Sequence, residues 1–277
     1  MYTPTTISRV DTSNAIGLFD SGIGGLTVAR AVHKLLPQES IIYFGDTAHL
    51  PYGDKSTAAI QAYAIKICNV LLQQNCKVIL IACNSASVAA YDLVKEYVGS
   101  RARVMNVIDP MINYIGQVHS KQKVGLIGTK QTIQSNVYKK KVDELKAGIQ
   151  LQSLATPLLV PMIEEDFFRN NIREGIIEAY LSREELNQVK ALILGCTHYP
   201  LIKPSIQNYY KNAVEILDSS EIVAQSLKGL LEMHNLTNKS GKVFQKFYVS
   251  DFTQSFETST KLFFGQHVHL EHYPLWE

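Results

Sequence analysis

Two observations predict an α/β fold with mostly parallel sheets. Short apolar runs of strand length alternate with stretches of helical spacing over the whole chain. One of those runs also has an echo: Val78-Ile79-Leu80-Ile81-Ala82-Cys83-Asn84-Ser85 resembles Ala191-Leu192-Ile193-Leu194-Gly195-Cys196-Thr197-His198. In each, a buried strand ends in a cysteine followed by two hydrogen-bonding residues. The echo predicts two related halves, each placing a cysteine at the carboxyl end of a strand, where ligands bind in open α/β sheets.

The elements follow in order. Ala15–Phe19 reads as a strand, and Asp20-Ser21-Gly22-Ile23-Gly24-Gly25 as the turn after it. Leu26, Val28, Ala29, Val32, Leu35 and Leu36 then have helical spacing, which Pro37 ends. Ile41–Phe44 is the next strand, a long loop runs through Leu50-Pro51-Tyr52-Gly53-Asp54, and a helix begins at Ser56 or Thr57. Strand Val78–Ala82, a helix from about Ser85, strand Arg103–Ile108 and a short helix after Asp109-Pro110 come next. Strand Lys123–Ile127, a helix from Thr132, strand Gln150–Leu154 and the helical stretch Met162–Tyr180 follow. The last strands are Ala191–Leu194, Glu215–Leu217 and Lys246–Val249.

Composition narrows the function classes. The 277 residues are 46% hydrophobic and 19% charged, as in ordinary globular proteins. A formal net charge of +2 predicts no nucleic-acid or membrane partner, and the run Lys139-Lys140-Lys141 reads as a solvated helix face. Apolar runs such as Val78–Ala82 are too short to span a bilayer, and the polar segment Met1 to Asn14 has no signal-peptide core. The default location is cytoplasmic, where four cysteines remain thiols instead of forming a disulfide framework.

The strand-end cysteines are the candidates for chemistry. A thiol at a helix start faces free N–H groups that lower its pKa, so it can act as a base. The plainer alternative is packing, since free cysteine is among the most buried residue types. Packing is the reading for Cys68, inside a helix, and for Cys76, just before a strand. The glycine-rich turn matches neither a dinucleotide fingerprint nor a P-loop, though its N–H groups can cradle a carboxylate. A tight turn explains its glycines equally well, but not the acid Asp20 at the strand tip. Cys196 and His198 are too close in sequence for structural zinc, so no metal is expected. A single Cys/His nucleophile is a further option, which leaves the other cysteine idle.

These segments together resemble the glutamate racemases, within the cofactor-independent aspartate/glutamate racemases. The resemblance rests on Ile16 to Leu26, Tyr43-Phe44-Gly45-Asp46, Pro51-Tyr52-Gly53, Ala82 to Ser87, Gly128-Thr129, Val160 to Glu165 and Gly195 to Leu201. It implies two α/β domains related by a pseudo-twofold axis, with the active site between them. Residues 1–108 plus 219–277 would form one domain, carrying Cys83, and 109–218 the other, carrying Cys196. It also implies that Cys83 and Cys196 are the catalytic acid/bases, with no cofactor. Asp20, Asp46, Glu164 and His198 would support the thiols or the substrate ammonium. Asp20, Ser21, Pro51, Tyr52, Gly53, Asn84, Ser85, Thr129, Thr132, Thr197 and His198 would bind substrate. One departure is Ser85, where the family usually has threonine; the hydroxyl is kept.

The resemblance further implies that D-glutamate is supplied to peptidoglycan synthesis, and a homodimer is an expectation from the same source. Within the chemistry, one thiolate removes the α-proton and the opposed thiol returns a proton to the other face. Sequence proximity assigns Asp20 to Cys83, and His198 with Glu164 to Cys196. A racemase for aspartate, a cysteine hydrolase and a non-catalytic amino-acid binding module are the competing readings.

Overall fold

The computed structural model describes residues 11–165 and 171–277. Residues 1–10 of the polar N-terminal segment, and 166–170 within the expected helix Met162–Tyr180, lie outside it. In chain order the first half of the elements are β1 (Ile16–Asp20), α1 (Leu26–Leu35), β2 (Ile41–Gly45), α2 (Thr57–Gln73), β3 (Val78–Ile81), α3 (Asn84–Val98), β4 (Arg103–Asn106) and α4 (Ile108–Val118). Then come β5 (Lys123–Gly128), α5 (Lys130–Gln134), α6 (Val137–Glu144), β6 (Gln150–Ala155), α7 (Leu159–Glu164), α8 (Asn171–Leu181), β7 (Ala191–Gly195), α9 (Lys203–Tyr209) and β8 (Glu215–Asp218). The chain closes with α10 (Ser219–Met233), β9 (Gln245–Val249), α11 (Gln254–Phe264) and β10 (Glu271–His272).

The strands form a six-stranded sheet in the order β10-β9-β2-β1-β3-β4 and a four-stranded sheet in the order β6-β5-β7-β8. The strand pairs in both are parallel. The series β2-β1-β3-β4 and β6-β5-β7-β8 have the same topology, so the echo in the sequence falls on equivalent strands, β3 and β7. In each series the connections diverge from the first strand, β1 or β5, to a neighbour on either side. The carboxyl ends at such a switch point are where this architecture binds ligands.

Burial explains the strands. β1, β2, β3 and β7 are buried along their whole length, because helices cover both faces and the run need not alternate. On one face of the larger sheet, Phe19, Ile42, Phe44, Ile79 and Ile81 pack with residues of α2 and α3. On its other face, Ile16, Leu18, Val78 and Leu80 belong to a core that continues through α1, α4 and α10 into β5 and β7 of the smaller sheet. One apolar core thus joins the two sheets behind their facing ends.

Several helix boundaries differ from expectation for local reasons. Ser56 caps α2 as read, its Oγ accepting from Ala59 N at 3.3 Å. Helix α3 starts one residue early, at Asn84, because Cys83 is its N-cap. Strand β4 ends at Asn106, not Ile108, since Asn106 Oδ1 accepts from the N–H groups of Ile108 and Asp109 at 2.7 and 2.8 Å and starts α4 there. Pro110 sits in the first turn of α4, where no N–H is needed. The helix expected from Thr132 begins at Lys130, capped by Thr129, and is interrupted at Asn136, whose φ of 56° is left-handed. Met162–Tyr180 is not one helix: α7 stops at Glu164, and α8 begins at Asn171.

Below the amino ends of β1 and β3, Lys77 and Glu39 form an ion pair with both side chains fully buried, Nζ to Oε2 2.5 Å. Lys77 Nζ also donates to Thr12 O at 2.6 Å, and Glu39 Oε1 accepts from Asn238 N at 2.8 Å. The pair therefore ties the segment before β1 and the connection between α10 and β9 to the larger sheet. Glu39→Ala strands the buried ammonium, so it is expected to lower unfolding stability by about 3–5 kcal/mol. Urea titration reads this directly; a loss within roughly 1 kcal/mol, the range of an exposed pair, would contradict the structural role assigned here.

Candidate active site

The four strands nearest the two switch points deliver the site. Asp20 ends β1 and Ser21 follows it, Cys83 follows β3, Thr129 follows β5 and Cys196 follows β7. Their ends meet around one small cleft. Of the residues expected from sequence, Ser21, Pro51, Tyr52, Gly53, Cys83, Asn84, Ser85, Thr129, Glu164, Cys196, Thr197 and His198 line it. Gly22, Leu50 and Val160 line it too and were not singled out. They are apolar or without a side chain, so the sequence carries no chemical signal for them.

On the first side, Cys83 caps α3, its Sγ accepting from Ala86 N at 3.4 Å, and its thiol points at Ser21 Oγ, 3.7 Å away. Behind it lies the fully buried Asp20. Asp20 Oδ2 accepts from Gly25 N at 2.8 Å and Gly22 N at 3.3 Å, while Oδ1 is buried without a hydrogen-bond partner. Burial pushes the Cys83 thiol well above its ordinary pKa, and the Asp20 charge adds to this. The helix N–H and Ser21 pull the other way and lose. The expectation that a helix start lowers this pKa is therefore corrected: Cys83 rests as a protonated thiol. Cys68 and Cys76 are also buried, which pushes each up to about 12, in keeping with packing roles.

On the second side, Cys196 Sγ lies 3.8 Å from His198 Nδ1, and His198 Nε2 lies 2.9 Å from Glu164 Oε1. The ring meets Phe263 edge-on, centroids 5.2 Å apart. Burial pulls the His198 pKa down, but its hydrogen bonds to Cys196 and Glu164, with their charges, outweigh that and push it up to about 10. The imidazole thus carries positive charge at neutral pH, directly beside the Cys196 sulfur.

The glycine-rich turn has a further reason for its composition. A Cβ on Gly24 would collide with the His198 ring and come within 2.6 Å of Thr197 Oγ1. Next to it, Thr27 Oγ1 donates to Thr197 O at 3.0 Å. The turn after β1 is where the loop carrying Thr197 and His198 is seated. The same closeness occurs at Gly53, whose added Cβ would lie 2.9 Å from Thr129 Cβ.

Asp20, Asp46 and Thr132, expected at the site, do not line the cavity. Thr132 backs Thr129, their hydroxyls 3.0 Å apart, and Thr129 in turn bonds Ser85 Oγ at 2.9 Å. Asp46 is fully buried behind Tyr52, which donates to its Oδ2 at 2.6 Å. Its remaining partners are His49, Ser250 Oγ and Trp276 Nε1, the last two at 2.7 Å from Oδ1. Asp46 therefore holds the wall that carries Tyr52, and its hydrogen bonds go to neither thiol. Ser250 and Trp276 are over 200 residues away in sequence, out of reach of any local pattern.

The charge on His198 has a stated pH window. Its folded pKa of about 10 exceeds the ordinary 6.5, so its stabilising contribution is complete below about 6.5 and is lost as pH rises through about 10. Glu164→Gln keeps a hydrogen-bonding group and removes the charge. The expected result is a basic limb of kcat/KM that moves to lower pH, with activity at neutral pH reduced roughly tenfold or more. An unmoved limb would contradict the Glu164–His198 coupling.

Comparison with known proteins places these features in context. The family model described as Asp/Glu/Hydantoin racemase matches residues 26–227. A glutamate racemase of Chlorobaculum parvum is 37% identical over 258 residues, covering 93% of this chain and 94% of that protein. The crystal structure of a Francisella tularensis glutamate racemase in complex with D-glutamate superposes with a TM-score of 0.89 at 38% identity, covering 96% of this chain and 99% of that one. A Bacillus anthracis glutamate racemase gives 0.90 at 31% identity, covering 95% and 98%.

Proposed function

The chain belongs to the Asp/Glu/Hydantoin racemase family, and we propose that it interconverts L- and D-glutamate by proton transfer between two opposed thiols. The observation that carries this reading is the pair Cys83 and Cys196, at equivalent strand ends of two like sheets, lining one cavity. Their surroundings differ in the way a two-base reaction requires. In the direction written here the buried Cys83 thiol acts as the acid, and Cys196, beside the His198 ring, acts as the base.

In this mechanism the Cys196 thiolate takes the α-proton and becomes a thiol. The negative charge left on the substrate spreads into its carboxylate, where Ser21, Asn84, Ser85, Thr129 and Thr197 offer hydroxyl and amide donors. Cys83 then gives its proton to the opposite face and becomes the thiolate. The reverse reaction exchanges the roles. Asp20, the nearest carboxylate behind Cys83, is the group assigned to manage that thiol's proton.

The working halves proposed are residues 1–108 with 219–277, and 109–218. The six-stranded sheet draws its strands from the first set and the four-stranded sheet from the second. No helix among the described residues is long and apolar enough to cross a membrane, and all four cysteines are free. Both fit a cytoplasmic enzyme supplying D-glutamate for peptidoglycan, acting as a homodimer as the family resemblance implies. The Cys196–His198–Glu164 arrangement would also suit a single-thiol hydrolase, but that leaves Cys83 in the cavity without a task.

The test is optical rotation of L-glutamate with purified protein and no added cofactor, with L-aspartate in parallel. Rotation is expected to decay to zero for glutamate. Cys83→Ala and Cys196→Ala should each reduce kcat by about 10²–10⁴-fold. Full activity in either variant would sink the two-thiol reading, and faster turnover of aspartate would reassign the substrate.

A further inference from the structure

Asn84 directly follows Cys83 and is the first residue of α3. Its side chain is 2% exposed and lines the cavity, yet only half of its amide is engaged. Oδ1 accepts a hydrogen bond of 2.8 Å from the hydroxyl of Tyr138. Nδ2 is buried and has no hydrogen-bond partner. Buried N–H donors are ordinarily paired, so a donor left open on a cavity wall marks a place for an acceptor that arrives with the ligand.

Tyr138 decides which end of that amide is left open. It sits on α6, across the cleft from α3, and is 1% exposed. A phenol carries one proton, and among the described residues Asn84 Oδ1 is the acceptor for it. If the amide were turned over, Nδ2 would donate to the phenol oxygen, but the phenol proton would lose its acceptor and the amide oxygen would face the incoming carboxylate. Burial also holds the Tyr138 hydroxyl well above its ordinary pKa, so it remains a donor at any working pH.

We propose that Tyr138 is a positioning residue for the racemase reaction. Its buried hydroxyl fixes the Asn84 amide so that Nδ2 presents its N–H groups to a carboxylate of the amino-acid substrate. The role rests on the glutamate racemase reading. It also makes the carboxylate donor depend on the docking of the two halves, because the orienting hydroxyl belongs to one and the amide to the other.

The experiment is a double-mutant cycle on the full chain with Tyr138→Phe, Asn84→Ala and the pair, reading kcat and KM for both enantiomers of glutamate. Tyr138→Phe is expected to raise KM about five- to tenfold and change kcat less than about twofold, the pattern of lost ground-state binding. The same substitution should not change KM in the Asn84→Ala background, because its effect runs through Asn84. An unchanged KM in Tyr138→Phe, or an equal rise in both backgrounds, would overturn the proposal while leaving the racemase reading intact. A wild type that turns over no glutamate would overturn both. A second measurement does not depend on how Tyr138→Phe folds: in 15N-labelled wild type, the Asn84 side-chain amide pair, assigned by its loss in Asn84→Ala, is expected to shift when D-glutamate is added. No shift would count against the proposal.

Discussion

Gly24 lies hard against the His198 ring and the Thr197 hydroxyl, with no room for a side chain between them. That close approach sets the separation of the two sheets at their carboxyl ends, and the site depends on it. Neither sheet alone has a catalytic site, since each supplies one thiol. Thr27 fastens the contact through Thr197 O, and the shared core behind it, running from α1 through α10 to β7, keeps the ends facing. Two like α/β units docked end to end are a direct way to bring equivalent groups to opposite sides of one small molecule.

The symmetry of the backbone is not carried into the electrostatics. Cys83 has a carboxylate behind it and Cys196 an imidazole. Burial and Asp20 push the Cys83 thiol up, while the sulfur of Cys196 sits beside a buried imidazole whose charge is sustained by its hydrogen bonds to Cys196 and Glu164. Of the pair, Cys83 is the thiol whose surroundings are shown to resist ionisation. A proton removed at one face and returned at the other leaves the charge on the opposite thiol, where Asp20 opposes it. The two directions thus run through unlike environments in a site whose scaffold is nearly twofold.

Much of this was legible in the sequence. The strands are readable because β1, β2, β3 and β7 are buried on both faces and so are apolar without interruption. The repeated strand-Cys pattern marks both candidate thiols because the same topology is used twice. What escapes the sequence is decided by distance in space. The raised pKa of Cys83 follows from burial and from Asp20, which no local motif weighs against a helix N-terminus. Asp46 looks like a site acid but is enclosed by Tyr52, Ser250 and Trp276, two of them contributed by the far end of the chain. Tyr138 and Asn84 are 54 residues apart, and their pairing appears only when the halves meet. The glycines of the first turn are visible as glycines, but their reason, the approach of His198, is not.

The central claim is that two separate thiols act on opposite faces of one α-carbon, and the fate of the proton tests it most directly. L-Glutamate is incubated with the enzyme in deuterated water, and the reaction is stopped after a few per cent of conversion. Each enantiomer is then separated and its α-deuterium measured. Two bases predict deuterium in nearly all of the D-glutamate formed and almost none in the L-glutamate remaining. Equal labelling of both enantiomers, or D-glutamate that keeps the original proton, would mean that a single group carries the proton across, and would contradict the account.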